Sequence, residues 1–276
     1  MPRVRVDDAE IYYEVHGDGF PILLIQGLGM PSTLWYRQLP EFARRYRVIL
    51  MDNRGAGRSD QPRAGYSIAQ MAKDAVGILD HLAADRAHVL GLSLGGLIAQ
   101  ELALSYPGRV AGLILAGTHP GGPEYLEVTG SMWREQLNVA GLTREDIYRQ
   151  ALQWGTTEAF FRDRPEEVER FIRLRLELPQ TGHGFQGQFQ AGAAFDARDR
   201  LPALRCPTLV VHGTEDRVVP PRFARELAER IPGAQLHWIA GSGHLPFVEA
   251  PEQFNRAVLD FLAGVASAPP EPVEGE

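Results

Sequence analysis

The sequence predicts an α/β fold built on a mostly parallel sheet of about eight strands, with helices on both faces. Three observations carry that expectation. Short, continuous apolar runs recur at 21–25, 48–51, 88–92, 113–116 and 209–211, and more weakly at 236–239. Such runs mark strands that are buried on both faces. Helical periodicities lie between them, and alternation of this kind builds a parallel sheet covered by helices. The third observation is a break in the rhythm. From about Gly121 to about Asp199 helical patterns continue with no strand between them. A stretch of that length is too long for a loop and reads as a helical cap over one end of the sheet.

Taken in order, residues 3–6 and 11–15 alternate polar and apolar around Asp7-Asp8, the pattern of an antiparallel hairpin at a sheet edge. Residues 33–44 carry Leu34, Trp35, Leu39 and Phe42 at helical spacing, with Pro40 breaking the element. Residues 68–82 carry Ile68, Met71, Ala75, Ile78, Leu79 and Leu82, and 94–105 carry Leu94, Leu97, Ile98, Leu102 and Leu104. Within the long helical stretch, 164–178 places Val168, Phe171, Ile172 and Arg175 on one face. Residues 222–230 and 252–263 complete the alternation. The chain therefore divides into a core of 1–120 and 200–265, a cap of 121–199, and a tail of 266–276. The tail is rich in Pro and Glu and is expected to be disordered.

Composition narrows the classes of function. Hydrophobic residues at 44% and charged residues at 23% suit a globular chain. The net charge of −7 lacks the basic excess of a phosphate-binding surface, so nucleic acid is not an expected partner. The single cysteine, Cys206, excludes an intrachain disulfide and a cysteine metal cluster. No His or acid pairs recur at ligand spacing, so no metal is expected. Residues 1–7 hold no apolar run of signal length, and nowhere do about 18 apolar residues run together. A soluble cytoplasmic protein acting on a small molecule, without a membrane partner, is the expectation.

The sharpest chemical signal is Gly91-Leu92-Ser93-Leu94-Gly95-Gly96. It follows a buried strand and opens a helix, the context in which G-x-S-x-G forms a nucleophile elbow. Ser93 must turn the chain sharply in a strained conformation, and side chains two residues to either side would collide there. A serine hydroxyl needs a base. Of the eight histidines, His244 sits in Gly241-Ser242-Gly243-His244-Leu245-Pro246, between the last strand and the last helix. His119 also follows a strand and stays open as a candidate. The base needs a carboxylate to orient it. Glu215 and Asp216 both follow the 209–211 strand, and Asp216 is preferred because it lies further into the turn. Glycines in Gln26-Gly27-Leu28-Gly29-Met30 free the backbone to turn its N–H groups toward the site. The N–H groups of Leu28 and Leu94 would then hold a developing oxyanion, worth about 3–4 kcal/mol each in the transition state.

With these motifs the chain resembles the α/β-hydrolase fold superfamily over about residues 3–265. Asp52-Asn53-Arg54-Gly55-Ala56-Gly57-Arg58-Ser59 is similar to that superfamily's loop after its fourth strand. Cys206-Pro207-Thr208-Leu209-Val210-Val211-His212-Gly213 is similar to the entry to its acid-bearing strand. The order Ser93, Asp216, His244 is the one stated for that arrangement. Within the superfamily the chain is most similar to small capped serine esterases and lactonases, such as 3-oxoadipate enol-lactonases and aclacinomycin methylesterase-like proteins. The resemblance implies hydrolysis of a carboxylic ester through an acyl-enzyme, without cofactor. Gln26, where many members carry His, is expected to touch substrate. Haloalkane dehalogenases and epoxide hydrolases differ in carrying Asp at the elbow.

Phe185, Phe189 and Trp154 are expected to line a pocket for a medium-sized, mostly apolar ester. Arg54 and Arg58 are expected to pin their own loop. Cys206 lies at the wrong end of its strand for catalysis, since ligands of open α/β sheets bind outside the carboxyl ends. Carbon–carbon bond hydrolysis or cofactor-free perhydrolysis on the same residues, and a slow-turnover ligand receptor, are the alternatives.

Overall fold

In the computed structural model, which describes residues 2–267, strand β1 (Arg3–Val6) pairs antiparallel with β2 (Ala9–His16) at one edge of the sheet. Asp7 sits between them with φ +50°, a conformation that Asp tolerates in turns. β3 (Phe20–Ile25) and β4 (Tyr46–Met51) run parallel, and β2 joins them antiparallel through β4. β5 (Ala87–Leu92), β6 (Val110–Ala116), β7 (Thr208–Gly213) and β8 (Gln235–Ile239) continue the parallel sheet. The strand order is β1-β2-β4-β3-β5-β6-β7-β8. All six residues of β5 and of β7 are buried, as their unbroken apolar runs require.

The segment 33–44 forms a short 3-10 turn at Ser32–Trp35 and then α1 (Leu39–Phe42). The interruption falls before Pro40, because proline fits the first turn of a helix, where its missing N–H has no partner to lose. α2 (Ile68–His81) and α3 (Leu94–Ser105) lie against one face of the sheet, where side chains such as Val89 and Leu113 meet Leu79, Ile98 and Leu102. The Ser67 hydroxyl caps α2 by accepting the Gln70 N–H.

Between β6 and β7 the chain inserts five helices: α4 (Pro123–Gln136), α5 (Arg144–Gly155), α6 (Glu158–Asp163), α7 (Pro165–Glu177) and α8 (Gly182–Ala193). Tyr148, Leu152, Phe160, Val168, Phe171 and Ile172 from α5 to α7 join the same buried cluster as Trp35, Phe247 and Phe254. The inserted helices thus share the core's apolar interior.

α9 (Arg222–Arg230), α10 (Pro246–Glu249) and α11 (Pro251–Ser267) complete the chain. α9 packs on the α2–α3 face and α11 on the opposite one, where Phe254, Val258 and Leu262 are buried. α11 runs through Ser267, two residues into the expected tail. The rest of that tail, 268–276, lies outside the described residues. Among the described residues no helix is long and apolar enough to cross a membrane.

Candidate active site

The carboxyl ends of β3, β5, β6, β7 and β8 carry the loops that build the site. Ser93 follows β5 directly and has φ +52° and ψ −116°, a strained conformation for a side-chain-bearing residue. Its N–H donates to the Ala116 carbonyl (2.9 Å), and its own carbonyl accepts from Thr118 Oγ1 (2.8 Å). A Cβ on Gly91 would fall on the Gly95 carbonyl, and one on Gly95 would fall on the Ile25 carbonyl. The two glycines of the motif are therefore steric requirements of the turn.

Asp216 follows β7 and is fully enclosed. Its Oδ1 accepts the N–H groups of Val218 (2.9 Å) and Val219 (2.8 Å), and its Oδ2 lies 2.8 Å from His244 Nδ1. His212 Nε2 stands 3.1 Å from the same Oδ2 and donates to the Val219 carbonyl at 2.8 Å. Burial works against the charge of this carboxyl, but the two imidazoles and their hydrogen bonds outweigh it. They hold Asp216 well below the usual carboxylate range. The neighbouring Glu215 is exposed. His212, within β7, thus contacts the acid that His244 contacts.

With Nδ1 turned to Asp216, His244 lines a cavity of about 370 Å³ together with Ser93, Leu28, Trp133, Tyr148, Phe185 and Leu245. Ser93 Oγ makes no hydrogen bond to the described residues; nucleophile–base hydrogen bonds of this kind often form only when substrate binds. The N–H groups of Leu28 and Leu94 also donate to no acceptor among the described residues. Leu94 opens α3, so its N–H has no partner within the helix.

The remaining candidates separate. His119 is fully enclosed and stacks on Tyr125 with ring centroids 3.6 Å apart, while its Nδ1 accepts the Gly121 N–H. Burial and, after it, the charge of His244 pull its pKa down to about 3, which leaves it neutral. Phe189 lines a smaller void of about 50 Å³ beside the main cavity, with Leu94, His119 and Trp133. Two expectations need correction. Gln26 lines neither space: its side chain is fully buried and folds back so that Oε1 faces the Gly27 N–H at 3.3 Å. Trp154 lines neither space: it packs against the cluster of Tyr125, Met132 and Val218, with Arg217 over its ring at 5.9 Å.

Arg54 is bound by Asp74, Asp8 and the Gly65 carbonyl, and Arg58 by Asp52, Glu14 and Ser32, so both brace their own loop. Cys206 is half-buried before the first residue of β7, and burial raises its pKa. Among the described residues no cluster of three His, Cys, Asp or Glu side chains is placed to hold a metal ion.

Three residues were not anticipated in these roles. Glu249 Oε1 accepts the Gly243 N–H (2.7 Å), and its Oε2 accepts both the N–H and the hydroxyl of Thr157 (2.9 Å each). It thereby ties the loop carrying His244 to the inserted helices. Gln188 Oε1 accepts the Gly29 N–H (2.9 Å), and Arg175 Nη2 donates to the Gly29 carbonyl (3.3 Å). These fasten the loop carrying Leu28. Helical spacing flagged Arg175 in the sequence only as part of a buried face.

Residues 21–251 match the model of the alpha/beta hydrolase fold family. The chain belongs to that family. It is 33% identical over 272 residues to a putative carbamate hydrolase, RutD, of Azorhizobium caulinodans, covering 96% of this chain and 99% of that one. It is 33% identical over 260 residues to 3-oxoadipate enol-lactonase 2 of Acinetobacter baylyi, covering 92% and 94%. Among solved structures, a thermophilic esterase from Thermogutta terrifontis superposes with a TM-score of 0.83 at 32% identity, covering 96% of this chain and 99% of that one. This alpha/beta hydrolase is accordingly a hydrolytic enzyme.

Proposed function

We propose that this hydrolase cleaves carboxylic esters, lactones included, through an acyl-enzyme on Ser93, with His244 as base and Asp216 orienting it. The observation that carries the reading is the 2.8 Å contact of Asp216 with His244, on a cavity that also exposes the strained Ser93 elbow.

In this reading Ser93 Oγ attacks the acyl carbonyl while His244 Nε2 takes its proton. The imidazolium so formed faces Asp216, whose carboxylate is kept ionised and dry. The oxyanion that develops is held by the N–H groups of Leu28 and Leu94, which have no other acceptor among the described residues to give up. His244 then protonates the leaving alcohol, activates water against the acyl-enzyme, and the acid departs. The inserted helices, 121–199, act as a cap that selects the substrate, since they supply Tyr148 and Phe185 to the cavity wall. With its apolar walls and few polar groups, the cavity suits a small to medium ester.

Ser93→Ala is expected to lower kcat on a 4-nitrophenyl ester by at least about a thousandfold while leaving the fold intact. Retention of most of the activity, with unchanged circular dichroism, would refute the reading. Running a vinylogous diketone beside the ester separates ester hydrolysis from carbon–carbon cleavage.

A further inference from the structure

The hydrolytic steps leave one buried charge on the cavity wall unused. Arg175, on α7, is only 6% exposed, yet it lines the same cavity as Ser93 and His244. A guanidinium carries five N–H donors. The single hydrogen bond it makes to the described residues runs from Nη2 to the Gly29 carbonyl, and the enclosed Nε has no partner. Its face lies 4.0 Å over the Tyr148 ring. No carboxylate pairs with it among the described residues. The same chain neutralises its structural arginines fully: Arg54 meets Asp74 and Asp8, and Arg58 meets Asp52 and Glu14.

A buried cation without a counter-ion is costly, so its persistence calls for a ligand that supplies the missing charge. Burial draws the Arg175 pKa down to about 10, with Tyr148 opposing, so the group is still charged at neutral pH. The lining of the cavity includes a second arginine, the exposed Arg144, and no Asp or Glu. A positive cavity in a chain of net charge −7 is a local arrangement that draws in anions.

We propose that Arg175 is a carboxylate-binding subsite, and that the substrates are esters or lactones bearing a free carboxylate a few bonds from the scissile carbonyl. The proposal rests on the ester-hydrolase reading above. The spacing follows from the chain: Arg175 holds the carbonyl of Gly29, the residue next to Leu28, whose N–H faces the oxyanion. A carboxylate on the guanidinium therefore lies close to the carbonyl under attack. Arginine suits this place because its planar fork presents parallel N–H donors to a carboxylate, where a lysine offers a single point charge.

The test compares 4-nitrophenyl hydrogen adipate with its neutral methyl ester. The wild-type enzyme is expected to prefer the acid by roughly 10- to 100-fold in kcat/KM, as for a hydrogen bond to a charged group. Arg175→Met should collapse that ratio toward one, mainly through KM, and Arg175→Lys should keep part of it. A wild-type ratio at or below one overturns the proposal. So does an equal loss on both esters in Arg175→Met, which would assign Arg175 to support of the Gly29 loop alone. Should the variants fail to fold, adipate must still inhibit wild-type hydrolysis of the neutral ester more strongly than adipamide does; equal inhibition overturns the subsite. Neutral-ester hydrolysis that depends on Ser93 but shows no preference sinks this subsite and leaves the hydrolase reading standing. Failure to hydrolyse either ester sinks both.

Discussion

The strand-end loops and the inserted helices meet at one cavity but are held by different means. The loops of Ser93, Asp216 and His244 are fixed by backbone: glycines that admit no Cβ, N–H groups of Val218 and Val219 on the acid, and the Ala116 carbonyl under Ser93. The inserted helices share part of the apolar core, and at the cavity they are fastened by polar side chains. Gln188 and Arg175 reach Gly29, Gln180 reaches the Gly55 carbonyl, and Thr157 meets Glu249. Backbone fastening gives a site that tolerates almost no substitution. Side-chain fastening gives a wall that can vary while the chemistry beneath it stays constant.

That contrast can be broken at its strongest point by Gly95→Ala. The new methyl would press on the Ile25 carbonyl, which belongs to a central strand and cannot retreat. A loss of at least about 3 kcal/mol in urea unfolding is expected, with activity abolished. Near-normal stability would show that the elbow has slack.

Glu249→Ala tests the seam between the two regions. It leaves the N–H groups of Gly243 and Thr157 without acceptors, at about 1–3 kcal/mol for each group that stays dry. The melting temperature should fall by several degrees. The kcat should fall more than KM changes, because the loosened loop is the one carrying His244. Unchanged kcat would confine Glu249 to the fold.

The smallest effect concerns pH. His119, stacked on Tyr125 of α4, is held neutral with its pKa lowered from 6.5 to about 3. The unfolded chain binds this proton below about pH 6.5 while the native state refuses it. Stability from this group is therefore complete above pH 6.5 and is lost progressively as the pH falls toward 3. His119→Asn should flatten the decline of melting temperature between pH 6.5 and 4, even from a lower starting value. An unaltered slope would place the acid sensitivity elsewhere.

Much of the core was legible because buried parallel strands print themselves as apolar runs, and because the Ser93 elbow needs glycines at fixed spacing. At the end of β7 Asp216 contacts His244 while its neighbour Glu215 is exposed, a difference of one position that depends on the depth of each residue in the turn. Gln26 and Trp154 were misplaced for a common reason. Proximity in sequence to a site-bearing strand, or aromatic character, says nothing about which way a side chain folds. Gln26 turned back on Gly27, and Trp154 packs behind Val218, which itself lines the cavity.

By itself the sequence determined the alternation of strands and helices, the place of the insertion and the three residues proposed for the chemistry. Each of these is written in local periodicity or in steric limits on a few neighbouring residues. Only the tertiary structure decided that Arg175 stands on the cavity wall with no carboxylate among the described residues beside it, and that Glu249 and Gln188 lock the loops. Those facts depend on which side chains, up to 159 positions apart, come to share a space, and no local pattern encodes that.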